Sequence, residues 1–205
     1  MLEAYRKTRE KELETDISHS QWYRWNERYI KTYKQILGGR FSSKILDLGC
    51  GADYFSKTCR LQEYEAEGVD IDTIDFERDD LPYPDATFQV VHFNAVLEHI
   101  ANPDTILKEI KRILKPGGVV IINVPNWQID YKNFYNDPTH KKPYTPKSLR
   151  WLCQMYGFKV IFLEPALICH PLANFNWRLP NFLKWRMSSL VKGGSKSILA
   201  VAEKI

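Results

Sequence analysis

The sequence predicts an α/β protein, a mostly parallel sheet with helices on both faces. Three observations carry this. From Lys44 onward, short apolar runs of strand length alternate with amphipathic stretches of helical period. Helix caps and breakers stand at the joins between them. The first apolar run, "KILDL", passes straight into Gly49-Cys50-Gly51, and a glycine turn leaving the first strand is where open α/β sheets bind ligands.

Taken in order, residues 2–37 contain no Pro or Gly before Gly38-Gly39 and read as helix. Trp22, Trp25, Tyr29 and Tyr33 recur three or four residues apart, so they share a face suited to packing on the domain edge or to covering a ligand. Residues 1–40 therefore form an N-terminal helical cap and residues 41–205 the main domain. After the strand "KILDL" come a short helix at Ala52–Leu61, a second strand in "YEAEGVDI" and a third in "FQVVHFN". Asn102-Pro103-Asp104 opens a helix, with Asn as cap and Pro at the first helical position. Ile106, Leu107, Ile110 and Leu114 line its buried face, and Pro116-Gly117-Gly118 is expected to end it before the strand "VVIINV". Thr145-Pro146 caps a helix that Gly157 terminates. "FKVIFLEPAL" and "KSILAVAEKI" are the last two strands.

Composition excludes several classes. The 205 residues, 44% apolar and 26% charged, suit one well-buried domain with an appendage. The longest apolar runs, such as Val119–Val124, are too short to span a bilayer. The charged N-terminus has no apolar signal-peptide core, and Cys50, Cys59, Cys153 and Cys169 make no CxxC pair or zinc-like spacing. A reduced, cytoplasmic protein is expected. A net charge of +4 without a long basic stripe gives no reason to expect a nucleic-acid partner. The charge is uneven, however: between Pro165 and Ala202 stand five Lys/Arg and no Asp or Glu.

The glycine turn is not a phosphate loop, because no Gly-Lys-Ser/Thr follows it. A dinucleotide fingerprint would need a third glycine where Tyr54 stands. Asp47, just before the glycines, opposes a bound pyrophosphate and favours a cationic amine. Nineteen residues beyond Gly51, Asp70 ends the second strand, at the spacing of an acid that accepts from ribose hydroxyls. A nucleoside with a positive group and no phosphates is expected there, and S-adenosylmethionine fits that description.

The motifs "ILDLGCGAD", "GVDID", "DDLPYPDATFQVVHFNAVLEHI" and "LKEIKRILKPGGVVIINVPN" resemble those of class I S-adenosylmethionine-dependent methyltransferases. The resemblance is close over Lys44–Asn126 and looser to the C-terminus. It implies a Rossmann-like seven-stranded sheet with an antiparallel last strand. It also implies that Gly49 and Gly51 underlie the methionine part of the cofactor, that Asp70 binds the ribose with Ile71 beside the adenine, and that Asp75 and Phe76 contact the adenine edge. Asn94 would start the loop under the methionine group. Only four residues separate Asp70 from Asp75, which leaves the family's third strand vestigial.

"NDPTHKKPYTPKSL" resembles a loop of bacterial methyltransferases that act on sugars and cell-surface glycans. In those folds the loop lies over the transferred methyl group. A sugar hydroxyl is a poor nucleophile while protonated, so a base is wanted, and His140 is the candidate, with Asp137 as its partner. Its other role would be to hold the loop together. Glu98-His99 is similar to part of a two-glutamate, two-histidine metal set in some small-RNA 2′-O-methyltransferases. Ala95 stands at the missing glutamate position, and no metal is expected.

The stretch 171–196 interleaves Trp177, Phe182 and Trp185 with Arg178, Lys184 and Arg186. It suits a substrate cover, a peripheral membrane contact or a dimer interface, and its charge favours an anionic or lipid-linked acceptor. The expected function is methyl transfer from S-adenosylmethionine to a sugar hydroxyl of a surface polysaccharide or its precursor. The alternatives are N- or O-methylation of a small metabolite, or a non-catalytic partner that only binds the cofactor.

Overall fold

The computed structural model describes residues 17–18, 20–42, 44–165 and 196–205. Most of the N-terminal stretch expected to be helical, residues 1–16, lies outside the described residues, as does the basic aromatic insertion except for Lys196.

The first helix, α1 (Gln21–Leu37), starts where the Ser20 hydroxyl accepts from the Tyr23 amide, and it stops at Gly38, which has a φ of +56°. Ile30, Tyr33 and Leu37 form its buried side. There follow β1 (Ile45–Leu48), α2 (Tyr54–Leu61), β2 (Ala66–Val69) and β3 (Phe88–Asn94). Next come α3 (Asp104–Ile113), β4 (Leu114–Pro125), the one-turn α4 (Trp127–Asp130), α5 (Pro146–Met155), β5 (Phe158–Pro165) and β6 (Ser197–Lys204). The strands form one sheet in the order β2-β1-β3-β4-β6-β5. The first four run parallel, whereas β6 pairs antiparallel with both β4 and β5.

Each strand sends alternate residues to opposite faces, and that alternation divides the core in two. Leu46, Leu48, Val91, Phe93, Val120 and Ile122 pack with Ile106, Leu107 and Ile110 of α3 and with Leu149 and Cys153 of α5. Ile45, Val90, Val119 and Ile121 pack on the other face with Ile30, Tyr33 and Leu37 of α1 and with Phe55 and Cys59 of α2. Fully burying one such side chain stabilises the fold by about 1.5–3 kcal/mol.

Two expectations are revised. The helix before β4 ends at Ile113 rather than at Pro116, so Pro116-Gly117-Gly118 lies inside β4. There it makes a bulge: Phe88 pairs with Leu114, but Val90 pairs with Val119. The sheet also has six strands among the described residues, not seven. Residues 70–87, where the family's third strand would fall, form turns instead, with the Thr73 and Ile74 amides donating to the Asp70 carbonyl. The loop is fastened to α3. The Leu81 amide donates to Glu109 at 2.7 Å, and Arg112 donates to the carbonyls of Leu81 and Tyr83 and to Asp85. Ile74, Phe76 and Leu81 enter the core from it. Among the described residues β2 forms the sheet edge.

Candidate active site

The candidate site lies at the C-terminal ends of β1 to β4 and has two parts. The first is the glycine turn. Gly49 and Gly51 have φ of +75° and +52°, and the Gly49 and Cys50 amides donate to the Val69 carbonyl at 2.7 and 3.2 Å. A Cβ at Gly49 would overlap the Val96 side chain, so this position needs glycine both for its φ and for that close approach. Asp70 is buried, and its carboxylate accepts from the Gly51 amide at 2.7 Å and from the Ile71 amide at 2.6 Å. Asp70 thus holds the turn in shape.

Ile71 is more than half exposed beside it. Asp75 accepts from the Glu77 amide at 3.0 Å, while Phe76 is buried in the core. Asn94 ends β3 and accepts from the Asn123 side-chain amide at 2.7 Å; Ala95 follows with a φ of +55°. From α1, Trp22 stacks on Tyr54, the first residue of α2 after the turn, with centroids 5.0 Å apart. Trp22 of α1 therefore adjoins the start of α2, just after the glycine turn.

Asp47 has a partner that the sequence reading did not anticipate. Its Oδ1 lies 2.7 Å from Nδ1 of His92, its register partner on β3. Burial pushes the Asp47 carboxyl up from its ordinary pKa, and His92 opposes that shift. The available signal was an ionisable residue in the otherwise apolar run "FQVVHFN".

The second part joins the 3₁₀ turn Leu97–His99 to the loop containing His140. The Glu98 carbonyl accepts from the Lys141 and Lys142 amides at 2.8 and 3.0 Å, which latches the two segments together. His140 Nδ1 lies 2.6 Å from the Phe134 carbonyl, an acceptor only, so Nδ1 carries the proton and the lone pair of the neutral ring is on Nε2. That Nε2 stands 3.8 Å from Asp137, the partner expected from sequence. Thr139 donates its hydroxyl to Asp137 and hence accepts at 2.9 Å from His99 Nδ1, which likewise leaves Nε2 as the acceptor in His99. These bonds hold the Asp137 carboxyl below its usual range, while burial and the neighbouring His140 depress the pKa of His99.

Glu98 is almost fully buried, and its Oε2 has no hydrogen-bond partner among the described residues. Burial pushes its carboxyl up to about 7. One ligand atom each from Glu98, His99 and His140 falls within a 4.8 Å group, so the three residues could hold a metal ion. Asn123 Oδ1, Asn126 Nδ2 and the Tyr144 hydroxyl are also buried without hydrogen-bond partners among the described residues. Buried polar groups are normally paired. Glu98 follows β3, Asn123 and Asn126 stand at the end of β4, and Tyr144 bridges to Asn126, so these groups make a floor that could take a polar ligand. Among the described residues no helix is long and apolar enough to cross a membrane.

Residues 21–163 match the family described as a methyltransferase domain. A "Probable S-adenosylmethionine-dependent methyltransferase" of Mycolicibacterium smegmatis is 25% identical over 66% of this chain and 60% of its own length. The ubiquinone/menaquinone biosynthesis C-methyltransferase UbiE of Desulfotalea psychrophila is 30% identical over 41% of this chain and 29% of its own. The chain spans about half the length of the first curated relatives it matches. In fold, it is similar to a SAM-dependent methyltransferase from Archaeoglobus fulgidus, with a TM-score of 0.59, 22% identity, and coverage of 87% of this chain and 94% of that one. The six-stranded sheet, the glycine turn against Asp70 and the match over residues 21–163 lead to one assignment: the chain belongs to the methyltransferase domain family, whose cofactor is S-adenosylmethionine.

Proposed function

We propose that this protein transfers the methyl group of S-adenosylmethionine to an oxygen, the hydroxyl of a sugar in a surface polysaccharide or its precursor. The observation that carries the oxygen acceptor is His140, whose Nδ1 is committed to a backbone carbonyl and whose Nε2 is left to accept a proton. The residues present fit the cofactor. The cradle at Gly49 is one that a Cβ would fill, and Asp70 and Ile71 offer acceptors and an apolar edge side by side.

When bound, S-adenosylmethionine supplies a methyl carbon on a positively charged sulfur, which is already a good leaving group. The chain's task is then to orient the acceptor oxygen in line and to remove its proton. His140 Nε2 would take the proton of the acceptor hydroxyl as that oxygen receives the methyl group, while Nδ1–H keeps donating to the Phe134 carbonyl. Asp137 steadies the imidazolium, and a base in this position contributes about 10²- to 10⁴-fold. His99 and Glu98 hold the loop that presents His140, and the reading needs no metal.

Methylation of a small metabolite is a second reading. Tyr131 and Tyr135 are more than half exposed and pack edge-on against Trp127 near His140, a surface for a flat acceptor. A rival of another kind, a partner that binds cofactor without turnover, is disfavoured by the intact turn. The insertion 171–196 is proposed to meet an anionic or lipid-linked acceptor. Lys196, at its end, is tied to Asp130 of α4 at 2.6 Å. The test is transfer of labelled methyl from the cofactor to nucleotide sugars and to quinols in parallel. Label in the sugars alone supports the reading, label in quinols alone replaces it, and cofactor binding without transfer to any acceptor favours the non-catalytic rival.

A further inference from the structure

A buried polar chain runs from Asp47 away from the glycine turn to the N-terminal helix. His92 Nδ1 lies 2.7 Å from Asp47, and its other nitrogen, Nε2, lies 3.2 Å from the hydroxyl of Tyr33 on α1. Asp47, His92 and Tyr33 are 4%, 4% and 0% exposed. Phe55 of α2 stacks on the imidazole with centroids 3.8 Å apart and planes 18° from parallel. Bonds and stacking thus connect α1, β3 and α2 to β1, the strand that leads into the Gly49–Gly51 turn.

His92 Nδ1–H donates to Asp47, and the Tyr33 hydroxyl donates to Nε2. Asp53 and Asp70 also act on Asp47, and Arg60 pairs with Asp53, so the imidazole orients a carboxylate in a net acidic neighbourhood beside the turn. A cofactor bearing an ammonium and a sulfonium is drawn to that neighbourhood.

We propose that His92 is a positioning residue that, with Tyr33, couples the docking of α1 to binding of the cationic cofactor. The inference rests on the cofactor reading above. By linkage, whatever the docking of α1 does for the cofactor, the cofactor does in return: it holds α1 down.

The test is calorimetry of S-adenosylmethionine binding to the full chain, paired with amide hydrogen exchange of α1 with and without cofactor. Cofactor should slow exchange in wild-type α1, a readout that needs no variant to fold. Tyr33→Phe, which keeps the ring packing, should speed exchange in α1 and weaken cofactor binding by about threefold, the size of one lost hydrogen bond. His92→Gln, whose amide can still donate to Asp47, should weaken binding by a similar factor of about three and reduce the protection that cofactor gives α1. Binding by wild type with no effect on α1 exchange, or variants that bind as wild type does with the same protection of α1, overturns this inference alone. A wild-type chain that binds no cofactor overturns the cofactor reading and this one with it.

Discussion

The two halves of the candidate site differ in what holds them. Around Gly49 and Asp70 the backbone is fixed within the protein: both Asp70 oxygens accept backbone amides, and the turn's own amides reach the Val69 carbonyl, while Asp53 Oδ1 and Ser56 Oγ are buried without partners among the described residues. Around Glu98 and His140 the unmet groups are more numerous: Glu98 Oε2, Asn123 Oδ1, Asn126 Nδ2 and the Tyr144 hydroxyl are buried without partners among the described residues. The first half is a backbone mould, shaped before any ligand arrives. The second carries its unmet hydrogen-bonding capacity on side chains beside His140. Binding energy should therefore track the turn, and turnover should track the loop.

The largest expected effect breaks the mould. Gly49→Ala places a methyl group on Val96 and forces a φ of +75° on a residue with a Cβ. Cofactor affinity should fall by about a hundredfold or more, that is, by about 2.7 kcal/mol. Gly49→Ala combined with Val96→Ala should recover part of that loss, because the overlap is relieved while the φ penalty, about 1–2 kcal/mol, remains. Wild-type affinity in the single variant, by calorimetry, would show that the turn does not hold the cofactor.

Asp70→Ala comes next and sharpens the same half. It removes the carboxylate that fixes the Gly51 amide and that is proposed to accept from the ribose. A loss between several-fold and a hundredfold is expected, from about 1–3 kcal/mol of charged hydrogen bonding. Turnover at saturating cofactor should change little, so a large fall in kcat there would blur the division between the halves.

His140→Ala tests the other half. It should lower kcat by at least about tenfold while cofactor affinity stays within about threefold, the pattern of a group that acts in the transition state. A chelator should leave wild-type activity unchanged. Loss of activity with chelator and recovery with an added divalent cation would turn Glu98, His99 and His140 from an acid–base cluster into a metal site.

The unequal legibility of the two halves has a physical cause. The turn is local in sequence, apart from one acid nineteen residues on, and glycines at forced backbone angles leave a readable mark. The sheet was legible for the same reason, since each strand carries its own period and each helix its own caps, such as Thr145 with Ser148. The missing third strand was only half legible. The shortness of the Asp70–Asp75 link was visible, but the Glu109 and Arg112 bonds that tie residues 81–85 to α3 join positions some 28 residues apart. His92 was passed over because its meaning lies in its neighbours: Asp47 is 45 residues away and Tyr33 is 59. Glu98 is similar, since nothing in "LEHI" tells that its carboxylate is buried without a partner.

The smallest expected effect concerns that carboxylate and is read in stability rather than turnover. In the folded chain the Glu98 carboxyl is pushed up to about 7 by burial, whereas in the unfolded chain it has the ordinary value of about 4.3. Between these two values the folded state binds more protons than the unfolded one, so stability falls as pH rises through that window. The penalty is absent below the lower value and complete above the upper one. Glu98→Gln keeps the shape and removes the charge, so it should be nearly neutral at about pH 4.5 and should stabilise the protein relative to wild type at about pH 8. The gap should open by a few degrees, since 1 kcal/mol moves the melting temperature of a domain this size by about 2–4 °C. Thermal melts of both proteins at several pH values measure it. A gap that stays constant with pH would mean that Glu98 is charged and satisfied in the folded chain, and the floor at the ends of β3 and β4 would then lose its most acidic unmet group.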